Sequence, residues 1–189
     1  MKKRYSVLMA LNGLDIGGAE THVVELSKEL ARLGYRVVVA SNGGVYEREL
    51  LSSGIKHYKV PMNKRNFTSM LRSYFKLKKI IKKEKIDIVH AHARIPGFLC
   101  GLLRKNMKFT FVSTAHWVFD THGWLKYLTN WGQKTVAVSD DIKDYLIENY
   151  DVNEKDIYVT INGIDTDKFS PEQEIVDCLC TIFGIKNFM

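Results

Sequence analysis

Short apolar runs alternate with longer amphipathic stretches along most of this 189-residue chain. The apolar runs, such as residues 37–40, are continuous, which is typical of strands buried on both faces of a parallel sheet. The stretches between them repeat their apolar residues with the period of an α-helix. Because strand and helix alternate at least six times, we predict an α/β fold with a doubly wound, mostly parallel, Rossmann-like sheet.

The predicted strands cover residues 5–11, 37–40, 57–60, 86–92, 109–116, 135–138 and 157–161. The predicted helices cover residues 19–33, 46–53, 67–85, 96–104 and 123–131, and a further helix begins after Ser139 as its cap. In the helix at 67–85, one predicted face is apolar and the other carries the lysines; the apolar face contains Phe67, Leu71, Tyr74 or Phe75, Ile80 and Ile81. Doubly wound sheets bind ligands beyond the carboxyl ends of their strands, where the strand order reverses. We therefore expect the functional side chains directly after strands.

Composition and the N-terminal sequence indicate the cellular location of the protein. The hydrophobic and charged fractions, 46% and 26%, are typical of soluble globular proteins. No apolar run reaches the ~20 residues of a membrane-spanning helix, and the basic N-terminus leads into a strand without a signal cleavage site. We expect a cytoplasmic protein. Cys100 is predicted to be a small core residue, and Cys178 and Cys180 support neither a zinc site nor a disulfide framework.

The positive charge is concentrated in one segment. Residues 61–85 contain nine basic residues and one acidic residue, so this segment carries +8 and the rest of the chain −1. A solvated helix face and an anionic membrane surface both remain open as explanations. Nucleic acid is not expected, since no recognition module accompanies the charge. The lysines assigned to membrane contact are Lys76, Lys78, Lys79, Lys82 and Lys83.

Gly17 and Gly18 lie between the first strand and the first helix. Glycines in this position either relieve positive φ angles in a turn or let a ligand approach backbone N–H groups at a helix N-terminus. The position directly after the first strand favours the ligand loop. The dinucleotide pattern G-x-G-x-x-G, the P-loop and the G-x-S-x-G elbow are all absent.

Three histidines follow or end predicted strands. His90 and His92 alternate by two and therefore share one face of their strand, and His116 ends the next strand. A metal triad is one interpretation, although no supporting second shell is visible. His90 alone is expected to be half-buried and bonded to a backbone carbonyl. His92 and His116, nearer the cleft, have the chemistry to donate hydrogen bonds to sugar hydroxyls or phosphate oxygens.

Five motifs in order resemble the N-terminal half of GT-B glycosyltransferases, specifically the retaining enzymes of glycosyltransferase family four. They are Gly17-Gly18-Ala19-Glu20, residues 87–94 (Asp-Ile-Val-His-Ala-His-Ala-Arg), Thr114-Ala115-His116-Trp117, Val136-Ala137-Val138-Ser139, and Asn162-Gly163-Ile164-Asp165 with Phe169 and Pro171. The resemblance implies a metal-independent enzyme, without a cofactor, that transfers a sugar from a nucleotide-sugar to a glycan or lipid-linked acceptor.

The resemblance also implies residue roles. Gly17 and Gly18 would admit the donor diphosphate, and His116, as the catalytic residue, would contact the transferred sugar. His92, Arg94, Lys64 and Arg65 would face the acceptor. A phosphate or carboxylate on that acceptor would suit Arg94, because a guanidinium pairs with such groups bidentately.

One departure from the family pattern concerns the donor side. We expect residues 1–170 to form the acceptor-side domain and residues 171–189 to be a truncated interdomain segment or tail. The C-terminal domain that supplies the nucleotide site in such enzymes is missing, so this chain alone is expected to be inactive. The alternatives are a non-catalytic module that pairs with a separate donor-domain chain or a membrane surface, and a nucleotide-binding oxidoreductase.

Overall fold

A computed structural model describes residues 4–118 and 129–161. The strands are β1 (Ser6–Ala10), β2 (Arg36–Ser41), β3 (Lys56–Lys59), β4 (Ile88–Ala91), β5 (Thr110–Ala115), β6 (Lys134–Ala137) and β7 (Ile157–Val159). The helices are α1 (Gly18–Arg32), α2 (Glu47–Ser52), α3 (Phe67–Lys83), α4 (Arg94–Arg104) and α5 (Asp140–Tyr150), with a short 3₁₀ turn at Glu154–Asp156.

All seven strands form one parallel sheet in the order β3-β2-β1-β4-β5-β6-β7. This confirms the predicted doubly wound architecture. The chain first moves outward from β1 through β2 to β3, then returns to the other side of β1 as β4. The strand order therefore reverses between β1 and β4, and ligands of such sheets bind beyond the carboxyl ends of strands at that point.

Two helical layers cover the sheet, which explains why the strands are continuously apolar. Val7 and Met9 of β1 pack in the cluster that includes residues of α1 and α2. Leu8 and Ala10, on the opposite face, pack in the cluster with α3 and α4. Cys100 of α4 is buried and unpaired in that second layer, as predicted, and burial raises the pKa of its thiol to about 12.

The helix predicted at residues 123–131 lies mainly outside the described residues. Its described part, residues 129–131, is not helical. The carbonyl oxygen of Trp131 instead accepts hydrogen bonds from Ser113 Oγ at 2.5 Å and from Thr135 Oγ1 at 2.8 Å. These bonds tie Trp131 to residues of β5 and β6. The motif that begins at Asn162, the tail at 171–189, Cys178 and Cys180 also lie outside the described residues.

Helix α3 differs from the prediction in its first half. The predicted apolar face contained Phe67 and Leu71, but Phe67 is 78% exposed and Leu71 46% exposed. The residues that pack on the core are Leu77, Ile80 and Ile81, farther along the helix. The fully buried stripe of α3 therefore lies in its second half. In the first half, Met70 and Tyr74 are partly buried against the core, whereas Phe67 and Leu71 remain exposed. None of the helices in residues 4–118 and 129–161 is both long and apolar enough to cross a bilayer.

Candidate functional site

The candidate site lies at the carboxyl edge of the sheet, beside the reversal of strand order. Gly17 and Gly18 follow β1, His92 and Arg94 follow β4, and His116 follows β5. Because β4 pairs with both β1 and β5, these three segments leave the sheet side by side. The structure thus brings together at one edge residues that are up to 99 positions apart in the chain.

The glycine loop is open at Gly18, whereas a Cβ atom at Gly17 would lie 2.3 Å from the carboxylate oxygen Oε2 of Glu20. Gly17 is the N-cap of α1 with a φ of −178°, an extended conformation that any residue adopts. A Cβ atom added at Gly18 would meet nothing within 4 Å among the described residues. The alternative that these glycines relieve positive φ angles is therefore excluded.

The backbone under this loop is held by the loop that follows β2. Leu14 N donates to Gly43 O at 3.0 Å, and Tyr46 N donates to Leu14 O at 3.0 Å. Gly44 has a φ of +154°, and a Cβ atom there would lie 2.3 Å from the carbonyl carbon of Leu14. Glycine is thus required at position 44, where two loops touch.

Helices α1 and α4 begin at this edge without a side-chain cap. Gly17 before α1 and Ala93 before α4 offer no side-chain cap. By contrast, Asn66 accepts a hydrogen bond from Ser69 N in α3 at 2.8 Å, and Ser139 caps α5 as predicted. The first N–H groups of an uncapped helix retain their capacity for an anion, which the helix dipole also favours.

A cluster of four histidines lies beside these helix ends. His92 and His116 are hydrogen-bonded to each other, with 3.1 Å between His92 Nδ1 and His116 Nε2. His90 is hydrogen-bonded to Thr114, with 2.7 Å between His90 Nε2 and Thr114 Oγ1. The rings of His90 and His92 are 4.1 Å apart between centroids. The expectation that a backbone carbonyl satisfies His90 is therefore wrong, because the partner is the hydroxyl of Thr114 on β5.

The fourth member, His22 on α1, was not predicted from the sequence. Its ring centroid is 5.2 Å from that of His116 and 5.9 Å from that of His92. The available signal was its spacing, since His22 stands four residues before Leu26 on the helix that follows the glycine loop. Helical spacing alone does not show whether His22 faces the strand ends, because that depends on how α1 is rotated on the sheet.

Burial keeps the cluster uncharged at neutral pH. Desolvation, with smaller contributions from the neighbouring histidines, lowers the pKa of His90 to about 3, and desolvation with His22 lowers that of His116 to about 4. Desolvation also lowers the pKa of His92 well below its ordinary value, and that of His22 to a lesser extent. Neutral imidazoles donate through one ring nitrogen and accept through the other, which suits hydroxyl groups.

Two buried polar atoms at this edge have no hydrogen-bond partner among the described residues. They are His92 Nε2 and Asn12 Oδ1. Asn12 belongs to the loop after β1 and His92 to the loop after β4. Buried polar atoms in folded proteins are almost always paired, so these two atoms are candidates for a hydrogen bond to a ligand or to water.

The residues assigned to the acceptor divide into two groups. Arg65 and Arg94 line one apolar groove between α3 and α4, whereas Lys64, which is exposed, does not line it. His92 lies apart from this groove, next to His116. Arg94 is the first residue of α4 and therefore stands between the histidine cluster and the groove.

The predicted membrane lysines lie along the second half of α3, not beside the histidine cluster. Lys82 and Lys83 are in its last turn, near the amino edge of the sheet where β4 begins. Lys76 donates to Lys59 O at 3.0 Å, and Lys83 lies over the ring of Tyr58 at 5.7 Å. In the described part of the chain, no three His, Cys, Asp or Glu side chains are arranged to hold a metal ion.

Known proteins of similar sequence are sugar transferases. The chain is 26% identical over 174 residues to the phosphatidylinositol N-acetylglucosaminyltransferase GPI3 subunit of Saccharomyces cerevisiae, covering 82% of this chain and 38% of that protein. It is 28% identical over 153 residues to the UDP-Gal:alpha-D-GlcNAc-diphosphoundecaprenol alpha-1,3-galactosyltransferase of Escherichia coli, covering 73% of this chain and 39% of that protein. The chain thus spans about two fifths of the length of these relatives.

Solved structures show the same fold. A glycosyltransferase from Rickettsia africae matches with a TM-score of 0.79 at 29% identity, covering 97% of this chain and 50% of that chain. The HepE protein of Anabaena, crystallised with UDP-glucose, matches with a TM-score of 0.74 at 15% identity, covering 96% of this chain and 50% of that chain. The model of the family described as Glycosyltransferase Family 4 matches residues 16–168, most of the chain. This protein belongs to glycosyltransferase family 4.

Proposed function

We propose that this chain is the acceptor-side half of an enzyme that transfers a sugar from a nucleotide-sugar to a phosphate-bearing acceptor, with retention of configuration. The observation that carries the proposal is the contact between His92 Nδ1 and His116 Nε2, 3.1 Å apart, at the reversal of strand order. Membership of family 4 sets the oxidoreductase alternative aside. Two of the relatives are named for lipid phosphates as sugar acceptors, which supports an acceptor of this class.

On the donor side, Gly17 and Gly18 admit the diphosphate. The open space at Gly18 lets phosphate oxygens reach the first N–H groups of α1, and the positive end of the helix dipole favours their charge. His116, half-buried and neutral, contacts the transferred sugar and donates or accepts a hydrogen bond there without requiring a proton from solvent. No metal or cofactor takes part in this proposal.

On the acceptor side, Arg94 and Arg65 pair with the phosphate, with Lys64 beside them in the turn before α3. His92 holds His116 in place through its Nδ1 atom, and its buried Nε2 is available to an acceptor hydroxyl. The uncapped N-terminus of α4 adds to the positive potential at this position.

The enzyme acts from the cytoplasmic side, held at an anionic membrane by α3. Lys76, Lys78, Lys79, Lys82 and Lys83 follow the helix for half its length, and each basic side chain near an anionic surface contributes about 1 kcal/mol. We expect co-sedimentation with anionic but not neutral vesicles, reduced by salt and by combined Lys78→Glu, Lys79→Glu, Lys82→Glu and Lys83→Glu substitution. Equal binding to both vesicle types would assign these lysines to a solvated helix face.

The test of the proposed activity joins this chain to a donor domain of the same family. We expect no transfer by residues 1–189 alone and measurable transfer by the joined protein. His116→Ala should lower kcat by ~10²-fold or more, the scale for loss of one positioned catalytic hydrogen-bond donor. Leu33→Ala, at an exposed residue (58%) at the end of α1 that lies away from the glycine loop, is the control and should retain activity.

Two results would oppose the proposal. Unchanged turnover in the joined His116→Ala protein would remove His116 from the reaction. Absence of transfer in every joined protein, with normal folding by circular dichroism, would favour the alternative of a non-catalytic module.

A further inference from the structure

A groove of about 700 Å³ separates the first half of α3 from α4. Its walls are two apolar stripes with the same helical spacing: Phe67, Met70, Leu71 and Tyr74 on α3, and Ile95, Phe98, Leu99 and Leu102 on α4. Each stripe follows the i, i+3, i+4, i+7 pattern that normally faces a protein core. Here only part of each stripe packs on the core: Met70, Tyr74, Ile95 and Phe98 are partly buried against it, whereas Phe67 and Leu71 are exposed.

The α3 wall is exposed to a degree that is unusual for apolar side chains. Phe67 is 78% exposed and Leu71 46% exposed, while Leu99 at the α4 wall is only 2% exposed. The groove therefore has a buried side and an open side, as a site for an elongated apolar ligand has. Its volume lies within the range of roughly 300–1,000 Å³ that is common for small-molecule sites.

The charged residues that line the groove in the described part of the chain are all basic. Arg94 and Arg65, at the first residue of α4 and just before α3, line the part nearest the histidine cluster, and Lys105 lines the part at the end of α4. No acidic residue is among the described residues that line it. An apolar trough with guanidinium groups near the candidate active site complements a molecule with an anionic head and a hydrocarbon body.

We propose that this groove binds the hydrocarbon chain of a phosphate-bearing lipid, with the phosphate at Arg94 and Arg65 and the chain along α4. The inference rests on the proposed function, because it assigns the lipid part of the acceptor to a separate subsite. The groove also accounts for Phe67 and Leu71, which are exposed although they share a stripe with Met70 and Tyr74, which pack against the core.

The test measures binding and not sugar transfer, so that its outcome is independent of the catalytic proposal. Octyl, decyl and dodecyl phosphate, each below its micelle concentration, are titrated into the full chain by isothermal calorimetry, with inorganic phosphate and dodecyl maltoside as further probes. We expect the affinity to rise by roughly threefold to fourfold for each added buried methylene group. Inorganic phosphate and the uncharged maltoside should each bind at least tenfold more weakly than dodecyl phosphate.

Two leucines provide matched variants. Leu71→Asp places a charge in the groove and should weaken dodecyl phosphate binding at least tenfold. Leu51→Asp, at a similarly exposed leucine on α2 (58% exposed), should leave it unchanged. Arg94→Gln should weaken every alkyl phosphate by a similar factor and keep the dependence on chain length, which separates the head from the chain.

Three outcomes would overturn the assignment. Affinity that does not depend on chain length would show a phosphate site without a chain subsite. Equal losses in the Leu71→Asp and Leu51→Asp variants would place the chain elsewhere. Absence of binding together with a self-association that Leu71→Asp abolishes, measured by analytical ultracentrifugation, would show that a second copy of the chain covers the groove.

Discussion

The two edges of the sheet differ in how completely their buried polar groups are hydrogen-bonded. At the amino edge, buried polar groups are bonded to one another. Ser6 N donates to Asp87 Oδ2 at 2.9 Å, and the buried carboxylate of Glu84 accepts from Arg36 Nη1 at 2.9 Å and from the hydroxyl of Tyr58. Lys56 Nζ lies 3.7 Å from the same carboxylate. The carboxylates of Asp87 and Glu84 are tolerated at this edge because each has hydrogen-bond partners.

At the carboxyl edge the backbone is fixed but the side chains are left incomplete. The loops after β1 and β2 are bonded to each other through Leu14. The imidazoles are neutral, and His92 Nε2 and Asn12 Oδ1 have no partner within the described residues. The amino edge therefore serves stability and the carboxyl edge serves binding. An unpaired buried polar atom lowers the stability of the fold, and it is useful only if a ligand completes its hydrogen bonding.

Gly44→Ala should cause the largest loss. The substitution combines a φ of +154°, which an L residue rarely adopts, with a Cβ atom 2.3 Å from the Leu14 backbone. We expect unfolding free energy measured in urea to fall by about 3 kcal/mol or more. Gly54→Ala is the control, since its φ of +74° is also strained but nothing lies within 4 Å. It should cost about 1 kcal/mol; equal losses would mean that the contact between the loops is unimportant.

Glu84→Ala tests the amino edge. The variant removes a carboxylate that is 4% exposed and bonded to three partners, and should lower the unfolding free energy by about 2 kcal/mol at pH 7. Glu29→Ala, which breaks an exposed pair with Arg32, is the control and should have no measurable effect. A change as small as that of the control would show that the amino edge does not depend on this charge.

The same carboxylate gives the amino edge a pH dependence. The hydrogen bond from Tyr58, with smaller contributions from Lys56 and Arg36, holds the pKa of Glu84 below its ordinary value of 4.5. Its contribution to stability is therefore fully present above pH 4.5 and is lost as the pH falls through the lower folded value. Urea titrations of wild type and Glu84→Ala should converge only in strong acid.

The carboxyl edge should respond to acid at a higher pH. The histidines are protonated in the unfolded chain below about pH 6.5 but stay neutral in the folded protein down to about pH 4 for His116 and about pH 3 for His90. The unfolded state then binds more protons, so stability falls as the pH drops from 6.5. Each such histidine contributes a slope of up to about 1.4 kcal/mol per pH unit. His90→Gln should reduce the pH dependence of the unfolding free energy by the contribution of one histidine. An unchanged pH dependence between pH 6.5 and 5 would contradict the burial of His90.

His92→Leu should have the smallest effect on stability. The substitution removes a buried imidazole with one unpaired nitrogen and fills the space with an apolar side chain of similar size. We expect the unfolding free energy to change by less than about 1 kcal/mol in either direction. The joined enzyme should nevertheless lose acceptor affinity, measured as a raised acceptor KM. A loss of more than about 2 kcal/mol would make His92 a structural residue like those of the amino edge.

The architecture could be predicted from the sequence because each buried parallel strand can be recognised from its own residues. Each buried run, such as β2, is apolar without interruption, and a helix between two such runs permits few arrangements. The positions directly after strands then pointed to Gly17, His92 and His116 before any geometry was known. Local patterns of apolar residues and the position of ligand sites at the carboxyl edge of parallel sheets are enough for these assignments.

The contacts across the site required geometry that no local pattern contains. The pairing of His90 with Thr114 depends on the register that sets Ala91 opposite Ser113. His22 joins the cluster through the rotation of α1 on the sheet, which its apolar stripe fixes only roughly. The exposure of Phe67 and Leu71 on α3 also escaped prediction, because both have the spacing of a core stripe and differ only in lacking a partner layer.

The bond between His92 and His116 has a consequence for what the site can recognise. Each neutral imidazole carries one N–H, so a bond between Nδ1 of one ring and Nε2 of the other fixes both outer nitrogens at once. If His92 donates, its Nε2 is left as an acceptor and His116 Nδ1 bears a proton; if His116 donates, the two outer atoms exchange characters. A group that can only accept, such as a phosphate oxygen, therefore binds at an end that bears a proton and leaves an acceptor at the other end, so the paired rings couple the hydrogen-bonding character of their two outer atoms without a change in net charge.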